Sequence, residues 1–230
     1  MKKTSLIIIA LFMMINVSFS QRVHKIILAD KGASITTGFL LNENVVVFIG
    51  QDGSISEWGV DRYADRAGDQ ISRKLDTYGG RIEYYTDKDN EAFRGKIKYI
   101  GNTMITYFAS FDDKDKAGRI KTIGTIPFNY FTTYDDPSAK GKIRMVGRTA
   151  YSFYTNFDND AYKNKIKSVG TVGITYFATT DDKALVGKVK SVNNRPFTYY
   201  TSQDQPNLRG VLKTGSLNQV INGVTYQIKP

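Results

Sequence analysis

The chain has 230 residues, with 32 Lys and Arg against 22 Asp and Glu, a formal net charge of +10, no cysteine and one histidine. The missing cysteines exclude disulfides, thiol catalysis and Cys-ligated metals. With His24 as the single histidine and no G-x-S-x-G motif, no positioned base accompanies a nucleophile, so the chain is read as a non-enzyme without catalytic residues, metal or cofactor.

Residues 1–20 begin with Lys2 and Lys3, continue as an apolar run from Leu6 to Ile15, and end with the small Ser18 and Ser20. That pattern predicts a secretory signal peptide, hence export to the periplasm, the cell surface or the medium. The run is too short to span a bilayer, and no later segment is apolar enough to do so as a helix, so an integral membrane protein is not expected. Without Lys2 and Lys3 the balance is 30 basic to 22 acidic residues, near +8. In an exported chain that surplus points to an anionic polysaccharide or a protein partner rather than to nucleic acid.

Residues 21–80 read as an N-terminal β cap. Phe39 to Trp58 alternates strand-like runs with Asn/Glu and Asp-Gly turns. Gly59 to Arg73 is polar and reads as a loop or short helix, and Lys74 to Tyr85 as the degenerate second strand and link of a decayed first repeat that begins near Ile55.

Residues 81–215 repeat. Tyr84-Tyr85, Tyr107-Phe108, Tyr130-Phe131, Phe153-Tyr154, Tyr176-Phe177 and Tyr199-Tyr200 follow one another every 23 residues. Asp89 to Asp204, Gly95 to Gly210 (Asn164 in one copy) and Ile97 to Leu212 keep the same phase. Each copy reads as two strands, one like Ile105 to Ser110 and one like Lys96 to Ile100, joined by a polar loop and by a short link that usually begins with Gly. Alternation puts Ile105, Tyr107 and Ala109 on a core side, with Thr106, Phe108 and Ser110 on the other. Ile100, Ile123, Val146, Val169 and Val192 break this alternation, which calls for a bulge or bend near the following glycine.

These features predict an all-β fold: an extended antiparallel meander of about six β-hairpin repeats, the alternative being a parallel β-solenoid with one repeat per turn. The cation column Lys98, Lys121, Arg144, Lys167, Lys190 favours the meander. Solenoid stacking would set like charges about 4.8 Å apart, whereas a meander separates them by roughly 10 Å, near the screening length.

The period, the aromatic pair and the Gly-Lys-aliphatic-Lys run, over residues 79–215, resemble MORN-variant repeats, with a longer Asp-rich loop in place of the compact Asn-Gly turn. The resemblance implies β-hairpins in an extended antiparallel sheet and a scaffold or interaction module. It names no ligand.

Phe108, Phe131, Tyr154, Phe177 and Tyr200, with Lys98, Lys121, Arg144, Lys167 and Lys190, are the candidate binding residues. Alternation places rings and cations on one face, Phe108 beside Lys98, Phe131 beside Lys121 and Tyr154 beside Arg144, as a ladder suited to an elongated partner. The Asp-rich loops lack calcium-loop spacing and read as turns bonded to their own backbone. Residues 216–230 form a C-terminal capping hairpin with a type I′ turn at Asn222-Gly223. Exposed sheet edges would allow self-association. The expected function is a binding or scaffolding module at the cell envelope or outside the cell. The alternative is a surface spacer with no ligand, and a hydrolase is a distant third.

Overall fold

The computed structural model describes residues 21–29, 34–62 and 74–229. The signal peptide read at residues 1–20, and residues 63–73 of the polar segment, lie outside them.

The described strands are β1 (Arg22–Ala29), β2 (Ile35–Leu40), β3 (Val45–Gly50), β4 (Ile55–Val60), β5 (Ile82–Tyr84), β6 (Ile97–Ile100), β7 (Thr103–Tyr107), β8 (Ile120–Ile123), β9 (Ile126–Tyr130) and β10 (Ile143–Val146). They continue as β11 (Thr149–Phe153), β12 (Ile166–Val169), β13 (Val172–Tyr176), β14 (Val189–Val192), β15 (Arg195–Pro196), β16 (Thr198–Tyr199), β17 (Leu212–Thr214), β18 (Asn218–Ile221) and β19 (Val224–Lys229). Helix is confined to two 3-10 turns among the described residues.

The repeats build an open sheet of eleven strands, β5 to β15 in sequence order, every neighbour antiparallel. This is the meander, not the solenoid. A two-residue link closes one end of each hairpin, as at Gly101 and Asn102 between the Ile100–Thr103 pair, with Gly101 at φ +56°. The other end is a longer loop whose glycine also has positive φ. Gly118 is at +74°, and a Cβ there would sit 2.7 Å from the Ala92 carbonyl oxygen, so the position excludes ordinary side chains. Asn164, in the same column, is at +65°. Asn tolerates this region better than other non-glycine residues.

The break in alternation is a bulge, placed differently from the expectation. Ile105 pairs with Ile123 and Thr106 with Thr122, but Tyr107 pairs with Ile120, leaving Lys121 as the extra residue. The same shift recurs between β5 and β6, β9 and β10, β11 and β12, and β13 and β14. Because the extra residue is the cation, the aliphatics on both sides of it, Ile120 and Ile123 here, face the core and are buried. The bulge thus lies inside the strand rather than at the following glycine.

The two terminal segments, read from sequence as separate caps, form one sheet of order β18-β19-β1-β2-β3-β4. β1 pairs in parallel with β19, Ile26 against Tyr226 and Leu28 against Ile228. The expected Asn222-Gly223 turn is present, with φ +52° and +76°. This sheet covers the inner face of the repeats rather than their ends. Phe39 meets Phe128 with ring centroids 5.4 Å apart, the Thr37 and Tyr151 hydroxyls are 3.2 Å apart, and the Ile143 amide donates to Gln51 O at 2.7 Å. Ile26, Leu28, Val47 and Ile49 share one buried cluster with Ile105, Ile120, Ile143, Ile166 and Val189. The result is a two-layer sandwich whose second face, on the repeat side, carries the candidate residues.

Candidate functional site

On that outward face four of the six repeats pair two hydroxyls across the strands, and Glu83 with Tyr99 and Asn129 with Met145 hold that position in the other two. Thr106 and Thr122 hydroxyls lie 2.7 Å apart, followed by Ser152 with Ser168 at 2.6 Å, Thr175 with Ser191 at 2.7 Å and Thr198 with Thr214 at 2.6 Å. In every repeat, with or without a hydroxyl pair, a cation covers an aromatic ring. Lys121 is 5.4 Å from the Phe108 centroid, Arg144 5.6 Å from Phe131, Lys167 5.4 Å from Tyr154 and Lys190 5.2 Å from Phe177. The ends continue the series, with Lys98 over Tyr85 at 5.3 Å and Lys213 over Tyr200 at 5.4 Å.

Ring and cation therefore share a face, but the expected partners are displaced by one copy. Phe108 meets Lys121, not Lys98; Phe131 meets Arg144, not Lys121; Tyr154 meets Lys167, not Arg144. The tight turn sets Thr103 against Ile100 and Met104 against Tyr99, which carries Phe108 well past Lys98. Across the long loop, the Phe108 amide donates to Arg119 O, and the bulge lifts Lys121 onto the ring.

The rings are half-buried. Phe108 packs edge-on to Tyr130 at 6.2 Å, Phe131 to Phe153 at 6.1 Å, Tyr154 to Tyr176 at 6.0 Å and Phe177 to Tyr199 at 6.0 Å. They join neighbouring copies and offer a partner only their outer portion. The cations are the exposed members, and carboxylates approach them: Asp112 lies 3.8 Å from Lys121 and Asp135 3.1 Å from Arg144.

A second cation column, one residue before the first buried aliphatic, is structural. Arg119 donates to Gly141 O at 2.6 Å, Lys142 to Asn164 O at 2.8 Å and Lys165 to Gly187 O at 2.6 Å, each joining one copy to the next. The same groups lie over inner rings, Lys142 4.7 Å from Phe153 and Lys165 5.0 Å from Tyr176. Burial lowers the Lys96 and Lys142 pKa values. Arg119 also reaches Asp52 O at 2.6 Å, tying the repeat sheet to the β3–β4 turn.

The acidic loops are turns. Asp89, Asp135 and Asp204 accept the amides of Thr86, Thr132 and Thr201, three residues back, at 2.7, 2.8 and 2.6 Å. Those backbone N–H groups are the main cause of their lowered pKa values. No group of three or more His, Asp or Glu placed to hold a metal occurs among the described residues.

No known protein family, curated protein or solved structure matches the chain.

Two clefts lie away from the outward face. One, about 550 Å³, opens between β4 and the first repeats and is lined by Trp58, Tyr107, Glu57 and Lys96. The other, about 410 Å³, lies against the six-stranded sheet beside Lys25, Phe48, Asp76 and Gln227. Among the described residues no helix is long and apolar enough to cross a membrane.

One column escaped the reading from sequence. Phe111, Tyr134 and Phe157 stand at the loop tips, 84 %, 97 % and 98 % exposed. The signal was there: an aromatic directly before the aspartate column, at the same 23-residue phase. The more uniform aromatic pairs masked it.

Proposed function

We propose that the chain is an exported, non-enzymatic binding or scaffolding module at the cell envelope or outside the cell, with the outward face of the repeat sheet as its contact surface. The observation that carries this reading is the ring–cation pair repeated in six copies, with a hydroxyl pair beside four of them. Lys121, Arg144, Lys167 and Lys190 are exposed on that face. The pair spacing of two strands, roughly 10 Å, suits an elongated partner such as an anionic polysaccharide or an extended protein segment. The resemblance of residues 79–215 to MORN-variant repeats points the same way.

The test is affinity for an anionic polysaccharide, with alginate as the probe, at low and high salt. Binding is expected to weaken as salt rises. Replacing Lys121, Arg144, Lys167 and Lys190 together by Ser is expected to remove most of the binding and its salt dependence. Absence of binding at low salt, or binding unchanged in the fourfold variant, favours the other reading, a spacer whose repeats only set length.

A further inference from the structure

The loop edge of the repeat sheet carries a second surface, separate from the cation-bearing face. Each long loop begins with the same turn. The amide of the aspartate donates back to the carbonyl three residues earlier: Asp112 to Ala109 at 3.1 Å, Asp135 to Thr132 at 3.1 Å, Asp158 to Thr155 at 3.2 Å. The aspartate side chain closes the turn from the other side, accepting the Ala109, Thr132 and Thr155 amides at 2.8, 2.8 and 2.6 Å. Phe111, Tyr134 and Phe157 occupy the third position of these turns, so the closed backbone points each ring away from the protein.

Neighbouring loops are bonded to one another immediately before this position. The Ser110 amide donates to Asn90 Oδ1 at 3.1 Å, and the Thr133 amide to Asp115 Oδ2 at 2.8 Å. The Thr179 amide donates to Asn159 Oδ1 at 3.0 Å and the Ser202 amide to Asp182 Oδ1 at 2.9 Å. The Phe111 and Tyr134 tips are thus tied together, and the Phe157 turn follows one copy further on the same ladder of two strands per copy, roughly 10 Å. The row is confined to the middle of the array, since Lys88, Thr180 and Gln203 fill the corresponding positions at its ends.

Rings this exposed contribute almost nothing to the core, and a row of them on water is a feature of contact surfaces. We propose that Phe111, Tyr134 and Phe157 form a stacking platform for an extended, uncharged polysaccharide. Three rings on equivalent turns at one repeat spacing are met together only by a partner that is itself periodic, which favours a regular polymer over a globular protein. The charge of the edge selects a neutral polymer. A carboxylate follows each ring directly, at Asp112, Asp135 and Asp158, with Asp113, Asp136 and Asp160 close by. Cations of the same copies answer them: Asp112 lies 3.8 Å from Lys121, Asp113 3.9 Å from Lys116, Asp135 3.1 Å from Arg144 and Asp160 2.8 Å from Lys163, so the edge carries no surplus of either sign to attract a charged polymer. Toward a neutral sugar these polar groups offer hydrogen-bond partners for hydroxyls, while the ring faces cover the apolar C–H side of the pyranose. Three weak stacking contacts on one chain combine through effective concentration.

The test uses the mature chain and a panel of uncharged glycans (mixed-linkage β-glucan, chito-oligosaccharides, dextran), read by affinity electrophoresis and calorimetry. Binding to at least one extended member is expected, unchanged between low and high salt. That insensitivity separates it from any binding by the cationic face. The triple variant Phe111→Ser, Tyr134→Ser, Phe157→Ser is expected to keep its unfolding midpoint and to lose affinity by about a hundredfold. Thr180→Tyr, which puts a fourth ring on the next turn, is expected to tighten binding several-fold. Tyr84→Ser, an exposed ring outside the row, is expected to leave it unchanged. The proposal fails if the parent chain binds no member of the panel, or if the triple variant binds as the parent does. It fails equally if the triple variant loses self-association in sedimentation instead, since the tips are then a contact between copies.

Discussion

Two columns of rings run through the repeats at one period and meet opposite surroundings. Tyr107, Tyr130, Phe153, Tyr176 and Tyr199 are buried between the sheets, while Phe111, Tyr134 and Phe157 stand in solvent. Residue type does not separate them, since both columns are Phe and Tyr. Backbone does. The first column lies in strands whose alternate residues face the second layer, and the second lies at the third position of a turn that faces nothing. Between them, Phe108, Phe131, Tyr154 and Phe177 sit half-buried and join copies edge-on. Regular spacing thus establishes that a position is built into the repeat, and says nothing about whether it serves stability or contact.

Substitutions along this gradient sharpen the contrast. Tyr130→Ala removes a side chain that is 1 % exposed and a hydroxyl that donates to Ile120 O at 2.8 Å. It is expected to cost about 3–5 kcal/mol in urea unfolding. A loss close to that of Phe157→Ala would show that the second layer does not seal the inner face.

Gly118→Ala puts a Cβ against the Ala92 carbonyl at positive φ, an expected loss of about 1–3 kcal/mol. Asn164→Gly, at the position where the array already deviates, is expected to change stability by only a few tenths of a kcal/mol. Equal effects at the two positions would mean that the loops do not share one backbone.

Thr175→Val deletes one hydroxyl of the Thr175–Ser191 pair on the outward face, worth about 0.5–1.5 kcal/mol. An unchanged midpoint would show that this pair is bonded to water rather than to itself.

The loop carboxylates supply an acid response. Asp89, Asp135 and Asp204 have lowered folded-state pKa values because backbone amides bond the charged form, and Asp136 and Asp182 because of the Ser138 and Ser202 hydroxyls first. A depressed folded pKa adds stability that is fully present above the unfolded value and is lost as pH falls through the folded one. Thermal midpoints are therefore expected to hold steady above about pH 5 and to drop below about pH 4. Asp135→Asn is expected to flatten part of that drop. A midpoint independent of pH in this window would count against the turn bonds.

The smallest effect is expected at the tips. Phe157→Ala is expected to move stability by no more than about 0.5 kcal/mol, as for other surface positions. A larger loss would reveal packing that its 98 % exposure denies.

Much of the fold was readable from the chain. A 23-residue period with β-branched and aromatic columns is enough for a hairpin ladder, because equivalent residues must recur at equivalent places. The like-charged Lys98 to Lys190 column was enough to favour the meander over stacking on adjacent rungs. The awkward Ile100 column was also visible, as a contradiction in alternation that a bulge removes. Its location at Lys98 and Lys121 was not, because a bulge is chosen by how two strands pair and not by one strand alone. The same limit misplaced the ring–cation partners by one copy.

Sequence by itself determined the repeat, the strand content, the turn at Asn222-Gly223 and the residues that the core requires. Those are properties of local pattern, written once per copy and legible without knowing where any copy lies. Tertiary structure alone decided that the two chain ends meet as parallel β1 and β19 and that their sheet covers the inner face of the array. These outcomes rest on contacts between residues up to some two hundred positions apart, such as Ile26 with Tyr226. No local periodicity encodes such contacts, since they become favourable only once both layers have formed.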